Sequence, residues 1–460
     1  MSRYLSTTWL AALLAALVLA LAACAPAAET VGEEPALEAP AAETEAEPEA
    51  TEAPAEEAPG EEPAAAAEEG PIKIGGLAPL SAPGAVTGGE AMREAMLIAV
   101  DEINANGGLL GREVELVVED TEGLPERGTA VMEKLINQDN VVAIGGGYHS
   151  SVGVAAKEVA HDNGIPVVFA ETWNDTITSV MYPEIFRIAP LNSEVSAVDA
   201  RFIDWLVNER GVAIGKVVIM TENTDYGIPA AEETTRLLGE REIEAVTFGV
   251  DIGTQDFAGI LERVKAENPD LIMALLTGEA AYNFQQQAAD SGIGPGDIPF
   301  MCNQVSLESN AFWTNVPDGN YCFVRRVGLP TELYNDVATN FVATYTERTG
   351  KQAAESYALE AYDSIMIIAQ AIEEAGTTDP QALITTLENI SYEGALGTIT
   401  FPVNANNTPE QAGKDPKWWH QFPDPAITIV QYQEPNQDST NAAVVFPEIY
   451  QTAEPVIVNE

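Results

Sequence analysis

Apolar, β-branched runs alternate with stretches of helical periodicity through most of the chain from Pro71 onward. The runs IKIGGLAPL, EVELVVED, VVAIGG and IPVVFA predict strands, and glycines such as Gly164 stop the helical patterns between them. The helical patterns cover Glu90–Ala105, Glu126–Gln138 and Val152–Asn163. Apolar strands that alternate with helices are typical of a parallel sheet covered on both faces. The pattern therefore predicts a doubly wound α/β unit.

A second series of the same kind follows the segment EIFRIAP. Its strands are predicted at KVVIM, EAVTFGV, DLIMALL, IPFMC and YCFVRRV. Its helices are predicted near Glu194–Asn208, Ala230–Leu238, Phe257–Glu267 and Ala280–Ala289. Because so many units exceed one sheet of ordinary size, we expect two α/β lobes.

Two long helical patterns, Thr331–Glu347 and Ala354–Glu374, have no strands of their own, so we assign them to the first lobe. The predicted first lobe is 71–191 plus 327–400, the second is 192–326 plus 401–440, and 441–460 is a C-terminal tail. Trp418, Trp419 and His420 either form a lid over the cleft or pack an extended tail against the surface.

The first 24 residues have the pattern of an export signal. Arg3 precedes an apolar run that is too short for a comfortable membrane span, and the run ends in Leu-Ala-Ala-Cys at Cys24. This ending resembles the lipobox of bacterial lipoproteins, whose cysteine is acylated. The alternative is an ordinary signal peptide with an incidental cysteine. Residues 25–70 are almost all Ala, Glu and Pro, which predicts a disordered tether that holds the folded part away from a membrane.

Composition excludes some functions and favours others. The 460 residues carry a formal net charge of −51, so binding to nucleic acid is not expected. The sequence contains no P-loop and no Cys/His cluster with zinc spacing, so we expect neither a cofactor nor a metal. Cys302 and Cys322 form an even pair in an exported chain, which favours a disulfide over two buried free thiols.

The segment GGGYHSSVG, from Gly145 to Gly153, is the best candidate for a binding site. Ligands of parallel α/β sheets bind beyond the carboxyl ends of the strands, where a helix N-terminus offers free N–H groups. Glycines allow close approach of the backbone, and Ser150 and Ser151 offer hydroxyl groups. The site would suit a carboxylate or another electron-rich oxygen, although Ser150 as a helix cap only is the alternative.

The next strand ends in FAETWND, so Glu171, Thr172 and Trp173 are also expected to face the cleft. For Trp173, packing beneath the loop is the alternative. A dinucleotide site matches weakly, because Ser150 occupies the third glycine position of the motif. A Ser-His-Asp hydrolase with Ser150 and His149 is disfavoured, since the G-x-S-x-G elbow is missing.

The segments IKIGGLAPLSAPGAVTGGEAMREAMLIAVDEINANGGLLGREVELVVED, YPEIFRIAP, TENTDYG and YALEAYDSIMIIAQAI resemble, in this order, the leucine/isoleucine/valine-binding protein family. The resemblance covers about residues 72–396 and is most specific in DEINANGGLLGR. It implies a type I periplasmic binding protein, with two doubly wound parallel-sheet lobes joined by a hinge. It also implies a monomeric solute-binding subunit that delivers a small molecule to an ABC permease and its ATPase.

The resemblance also assigns roles to residues. Ser150 matches the serine that binds the ligand's α-carboxylate, and Tyr226 matches a tyrosine that covers the ligand, with a core aromatic as the alternative. Gln304 stands where the family has a glutamate for the ligand's ammonium. Either Glu171 takes over that pairing, which is the option we prefer, or the ligand is a neutral amide or simple carboxylate without an ammonium. The complete set of expected ligand-binding residues is Tyr148, His149, Ser150, Ser151, Glu171, Thr172, Trp173, Tyr226, Thr277 and Gln304.

The expected function is therefore binding of an amino acid or amide-like solute by a protein that is lipid-anchored on the extracytoplasmic face of the cell membrane. A ligand-sensing module for a membrane receptor has the same sequence features and remains an alternative. An amide hydrolase on the same fold is a further alternative, which turnover of the bound compound would reveal.

Overall fold

The computed structural model describes residues 70–302, 311–351, 354–423 and 425–458. The predicted signal segment, the tether and Gln304 therefore lie outside the described residues. Among the described helices, none combines the length and the apolar character that crossing a bilayer requires.

The first lobe is built on a parallel sheet of five short strands. Its strands are β1 (Ile72–Ala78), β2 (Val114–Asp120), β3 (Ala143–Gly146), β4 (Val167–Phe169) and β5 (Ile185–Arg187). The helices between them are α1 (Val86–Ala105), α2 (Pro125–Asn137), α3 (Ser150–Asn163) and α4 (Thr176–Ser179). The strand order is β2-β1-β3-β4-β5, and every neighbouring pair is parallel, as the alternating pattern predicts.

The second lobe repeats this construction after the chain leaves β5. It contains α5 (Asn192–Asn208), β6 (Lys216–Glu222), α6 (Gly227–Gly239), β7 (Glu244–Val250), α7 (Ala258–Ala266), β8 (Leu271–Leu275), α8 (Gly278–Asp290), β9 (Phe300–Cys302), α9 (Phe312–Asn315) and β10 (Phe323–Val327). Neighbouring strands among β6 to β10 pair in parallel. Cys302 and Cys322 are joined as a disulfide, with their Cα atoms 5.9 Å apart.

The chain then returns to the first lobe. This return comprises α10 (Asp336–Thr349), α11 (Ser356–Ala375), α12 (Pro380–Asn389), the hairpin β11 (Ser391–Gly394) and β12 (Gly397–Thr400), and α13 (Pro409–Ala412). Helix α11 packs against α1 and β3 and is buried around most of its circumference. Its nearly continuous apolar sequence follows from this position between other elements.

The last part of the chain adds two antiparallel strands to the second sheet. These are β13 (Ile427–Gln431) and β14 (Ala443–Phe446), and the sheet has the order β14-β13-β10-β9-β8-β6-β7. Strand β14 falls within 441–460, the range that the sequence assigned to a C-terminal tail, and it pairs antiparallel with β13. Short 3-10 helices complete the described chain at Thr331–Leu333, Pro416–Trp418, Ser439–Asn441 and Glu448–Tyr450.

Candidate functional site

A cavity lies where the carboxyl ends of the parallel strands of the two sheets face each other. The first lobe contributes one wall, which consists of Gly123, Tyr148, His149, Ser150, Ser151, Glu171 and Trp173. The second lobe contributes the other, which consists of Glu222, Thr224, Tyr226, Ile252 and Thr277. Both lobes therefore contribute side chains to the same cavity.

The loop from β3 into α3 forms part of the cavity wall that the first lobe contributes. Gly146 and Gly147 have φ angles of +82° and +89°, which only glycine adopts without strain, so the backbone turns sharply here. A Cβ at Gly147 would lie 3.1 Å from the Phe169 ring, so the turn is also tightly packed. The turn brings Tyr148, His149 and Ser150 to the cavity at the start of α3.

Ser150 is the first residue of α3, and His149 is its N-cap. The Oγ of Ser150 accepts hydrogen bonds from the backbone N–H groups of Trp173 and Asn174, at 3.2 and 3.1 Å. Both bonds use lone pairs of the oxygen, so the hydroxyl hydrogen can still be donated to a ligand. Ser150 therefore joins two loops of the wall and does not cap its own helix with its side chain.

Trp173 and Tyr226 form the aromatic part of the cavity and meet edge to face at 5.9 Å. Arg325, a buried residue of β10, lies behind both of them. Its guanidinium donates to the hydroxyl of Tyr226 at 3.1 Å and lies 5.5 Å from the Trp173 ring centroid. It also pairs with Asp199 at 3.2 Å, and burial raises the pKa of Asp199 to about 6 although Arg325 opposes the shift.

Two carboxylates line the cavity from opposite lobes. Glu171 follows β4 in the first lobe, and Glu222 is the last residue of β6 in the second. Glu222 accepts from the backbone N–H and the hydroxyl of Thr277 at 2.9 and 2.8 Å, and from the hydroxyl of Thr224 at 2.8 Å. Burial raises the pKa of Glu222, and these hydrogen bonds oppose the shift.

Two further titratable groups of the cavity, Tyr148 and His149, are uncharged at neutral pH. Burial, reinforced by the charges of Glu171 and Glu222, raises the pKa of the Tyr148 hydroxyl, which therefore stays protonated. Burial lowers the pKa of His149 to about 3, so its imidazole is neutral at ordinary pH. No lysine or arginine is among the residues that line this cavity in the described part of the chain.

Hydrogen bonds connect the two lobes beside the cavity. Asp225 of the second lobe donates its backbone N–H to the Oγ of Ser151 at 3.0 Å and accepts from the side chain of Asn174 through its carbonyl. Glu279 at the start of α8 accepts from the backbone N–H and hydroxyl of Thr87 at the start of α1. The described structure therefore represents a closed arrangement of the cleft.

Eight of the ten expected ligand-binding residues line the cavity: Tyr148, His149, Ser150, Ser151, Glu171, Trp173, Tyr226 and Thr277. Thr172 was expected to face the cleft but lies behind the wall, where its methyl group would contact a Cβ added at Gly147 or Gly153. Gln304 is outside the described residues.

Four further residues of the cavity walls were not predicted from the sequence: Gly123, Glu222, Thr224 and Ile252. All four lie at or just beyond the carboxyl ends of parallel strands, so the rule that identified Glu171 also applies to them. Arg325 lies within β10 and carried no comparable signal.

Trp418, Trp419 and His420 do not line the cavity. The indole N–H of Trp419 donates to the carbonyl of Tyr182 at 3.0 Å, and the ring of His420 stacks on Phe186 at 4.1 Å. Of the two alternatives, the structure supports packing of the segment against the first lobe, beside β5.

The fully buried Arg187 connects this packed segment with the cavity wall of the first lobe. Its guanidinium donates to the carbonyls of Thr172 and Asn174 at 3.2 and 2.6 Å, on either side of Trp173 in the chain. It also donates to the side-chain oxygen of Gln421 at 2.6 Å. Burial lowers the pKa of Arg187 to about 10, which leaves it charged at neutral pH.

Among the described residues, no group of three or more His, Cys, Asp or Glu side chains is arranged to hold a metal ion. The cavity is lined by neutral hydrogen-bonding groups and by two carboxylates, one from each lobe.

Comparison with known proteins shows where this architecture recurs. The family model for periplasmic binding proteins matches residues 71–413. A Leu/Ile/Val-binding protein homolog 7 from Brucella abortus is 26% identical over 369 residues, which cover 77% of this chain and 90% of that protein.

Two solved structures have the same fold. The branched-chain amino acid transporter substrate-binding protein LivJ from Streptococcus pneumoniae, in complex with isoleucine, has a TM-score of 0.66 and 20% identity, covering 81% of this chain and 97% of that one. A solute-binding protein of an ABC transporter from R. palustris, in complex with benzoate, has a TM-score of 0.66 and 19% identity, covering 82% and 98%.

Proposed function

Because this chain belongs to the periplasmic binding protein family, we propose that it is the extracytoplasmic solute-binding subunit of an ABC importer. The observation that carries the proposal is the small cavity, to which both lobes contribute residues. A ligand held there contacts both lobes at once and so favours the closed cleft over an open one. The closed surface would then engage the permease.

The cavity favours an amine-bearing solute. Glu171 and Glu222 place two carboxylates on its walls, and no lysine or arginine lines it within the described residues. A cationic group on the ligand would offset the cost of keeping these carboxylates in a closed cleft. The hydroxyl of Ser150 and the N-terminus of α3 could meet an oxygen of the same ligand. An amino acid or a related amine is the compound class that fits both features.

The relatives bind solutes of different kinds, since one solved structure contains isoleucine and the other benzoate. An isolated aromatic carboxylate would bring a negative charge toward Glu171 and Glu222. We therefore expect this chain to bind benzoate more weakly than an amine-bearing compound of similar size.

Mass spectrometry of compounds released from the purified, denatured protein tests the proposal directly. We expect one small amine-bearing compound, which should bind again to the refolded protein in calorimetry and be recovered chemically unchanged. Recovery of a hydrolysed product would instead support the amide hydrolase. If no small molecule co-purifies and none of a broad panel of amines and amino acids binds, the proposed function is wrong.

We further propose that Cys24 is acylated and anchors the protein, with residues 25–70 as the tether. The sequence motif supports this proposal. The variant Cys24→Ser should appear in the soluble fraction or remain as unprocessed precursor, whereas the wild type should sediment with membranes. A mature N-terminus at another residue, without acyl chains, would contradict the anchor.

A further inference from the structure

Two polar side chains at the cavity have polar atoms without a hydrogen-bond partner in the described part of the chain. The imidazole of His149 is only 4% exposed, and neither ring nitrogen has a hydrogen-bond partner among the described residues. The indole N–H of Trp173, also only 4% exposed, likewise has none. Buried polar atoms are nearly always paired in folded proteins, so both groups indicate a partner that the described residues do not supply.

Packing holds both rings in place without those hydrogen bonds. His149 lies against Gly123, where an added Cβ would come within 3.0 Å of the imidazole Cε1, and its ring centroid is 4.9 Å from that of Tyr148. Trp173 is held by Tyr226 and Arg325, as described above. Both residues line the cavity, and their rings are held there in fixed positions, which is the arrangement that selective binding requires.

The chemistry of these groups is complementary. A neutral imidazole has one N–H donor and one acceptor nitrogen, and an indole has a donor only. Purely aliphatic lining is scarce, because Ile252 is the single aliphatic side chain among the described residues of the wall. A branched hydrocarbon group could pack on the aromatic rings, but it would leave the polar atoms of His149 and Trp173 without a partner among the described residues.

We propose that the solute carries, in addition to its amine, a neutral polar group such as an amide, hydroxyl or carbonyl that hydrogen-bonds to His149 and Trp173. This inference rests on the proposed function and specifies its ligand class. The protein therefore discriminates against leucine, isoleucine and valine, although a relative is described as a Leu/Ile/Val-binding protein homolog and a solved structure of the same fold contains isoleucine. A site with a buried hydrogen-bonding group rejects an isostere that cannot satisfy it, by about tenfold or more per group.

Calorimetry with pairs of amino acids of nearly equal size tests the inference. The probes are asparagine against leucine, and threonine against valine, measured with the wild-type protein. We expect asparagine and threonine to bind at least about tenfold more tightly than their aliphatic partners. In His149→Leu the preference should fall to about threefold or less, while the aliphatic member of each pair gains affinity.

The matched control is His161→Leu, which changes a histidine at the other end of α3, away from the cavity. This variant should keep the wild-type preference. Tighter binding of leucine or valine by the wild type would overturn the inference while the solute-binding function stands. An unchanged preference in folded His149→Leu would overturn the role of His149. Failure of every probe and of every co-purified compound to bind would overturn the proposed function itself, and the inference with it.

Discussion

Glu279 connects the two lobes across the closed cleft. Its Oε1 accepts from the backbone N–H and from the hydroxyl of Thr87, at 3.2 and 3.0 Å. The backbones are also close here, because a Cβ at Gly278 would lie 2.7 Å from the Cα of Ala85. Neither Glu279 nor Thr87 lines the cavity, so neither side chain is expected to contact the ligand directly.

We expect Glu279→Ala to weaken ligand binding about 5- to 30-fold. Hydrogen bonds to a charged acceptor contribute about 1.5–3 kcal/mol each when buried. Both side chains are half-buried in the closed cleft, and water replaces their contact on opening, so we discount the pair to about 1–2 kcal/mol. A closed state destabilised by this amount reduces the apparent affinity by the corresponding factor.

The assay is calorimetry with the co-purified ligand, combined with thermal unfolding of the ligand-free protein. Glu262→Ala is the control, because Glu262 is exposed on α7, where it pairs with Lys265. Thr87→Val and the double variant complete a cycle, in which the two single losses should not add. If Glu279→Ala binds as tightly as the wild type, closure does not depend on this contact and the reasoning is wrong.

Three further predictions concern stability. Arg187→Met should lower the free energy of unfolding by about 3–5 kcal/mol in urea titrations, because it leaves the buried carbonyls of Thr172 and Asn174 unpaired; a loss below about 1 kcal/mol would contradict this role. His149 has a folded pKa of about 3, below its unfolded value, so it favours unfolding as the pH falls from about 6.5 toward 3, by up to about 1.4 kcal/mol per pH unit. His149→Leu should therefore show a shallower acid loss of stability than the wild type, and parallel curves would refute the burial argument. Denatured, unreduced protein should show no free thiol from Cys302 or Cys322, and reduction should cost about 3 kcal/mol of stability.

The periodicity of the sequence was sufficient to predict the two α/β lobes. Parallel strands covered on both faces need apolar runs, and the helices between them need a repeat of 3.6 residues, so this architecture is visible in a single chain. The glycine that ends a helix is also a signal within a few residues of sequence. Gly164 ends α3 with a φ of +68°, as the pattern predicted.

Part of the candidate site was predictable for the same reason. Ser150 and Glu171 follow strands directly, and the carboxyl ends of parallel strands share one edge of a sheet. Which strand-end residues face the cavity depends on the neighbouring loops. Thr172 turns behind the wall while Trp173 faces the cavity, because Ser150 and Arg187 hold the backbone on both sides of Trp173.

The sequence by itself determined the elements, their alternation and the chemical groups available at strand ends, because these depend on residues close together in the chain. Only the tertiary structure decided which distant groups meet. Arg325 supports Trp173 from across the cleft, and Gln421 reaches Arg187 from more than 200 positions away. Such contacts depend on how two lobes close and how a late segment packs, and no local pattern records that geometry.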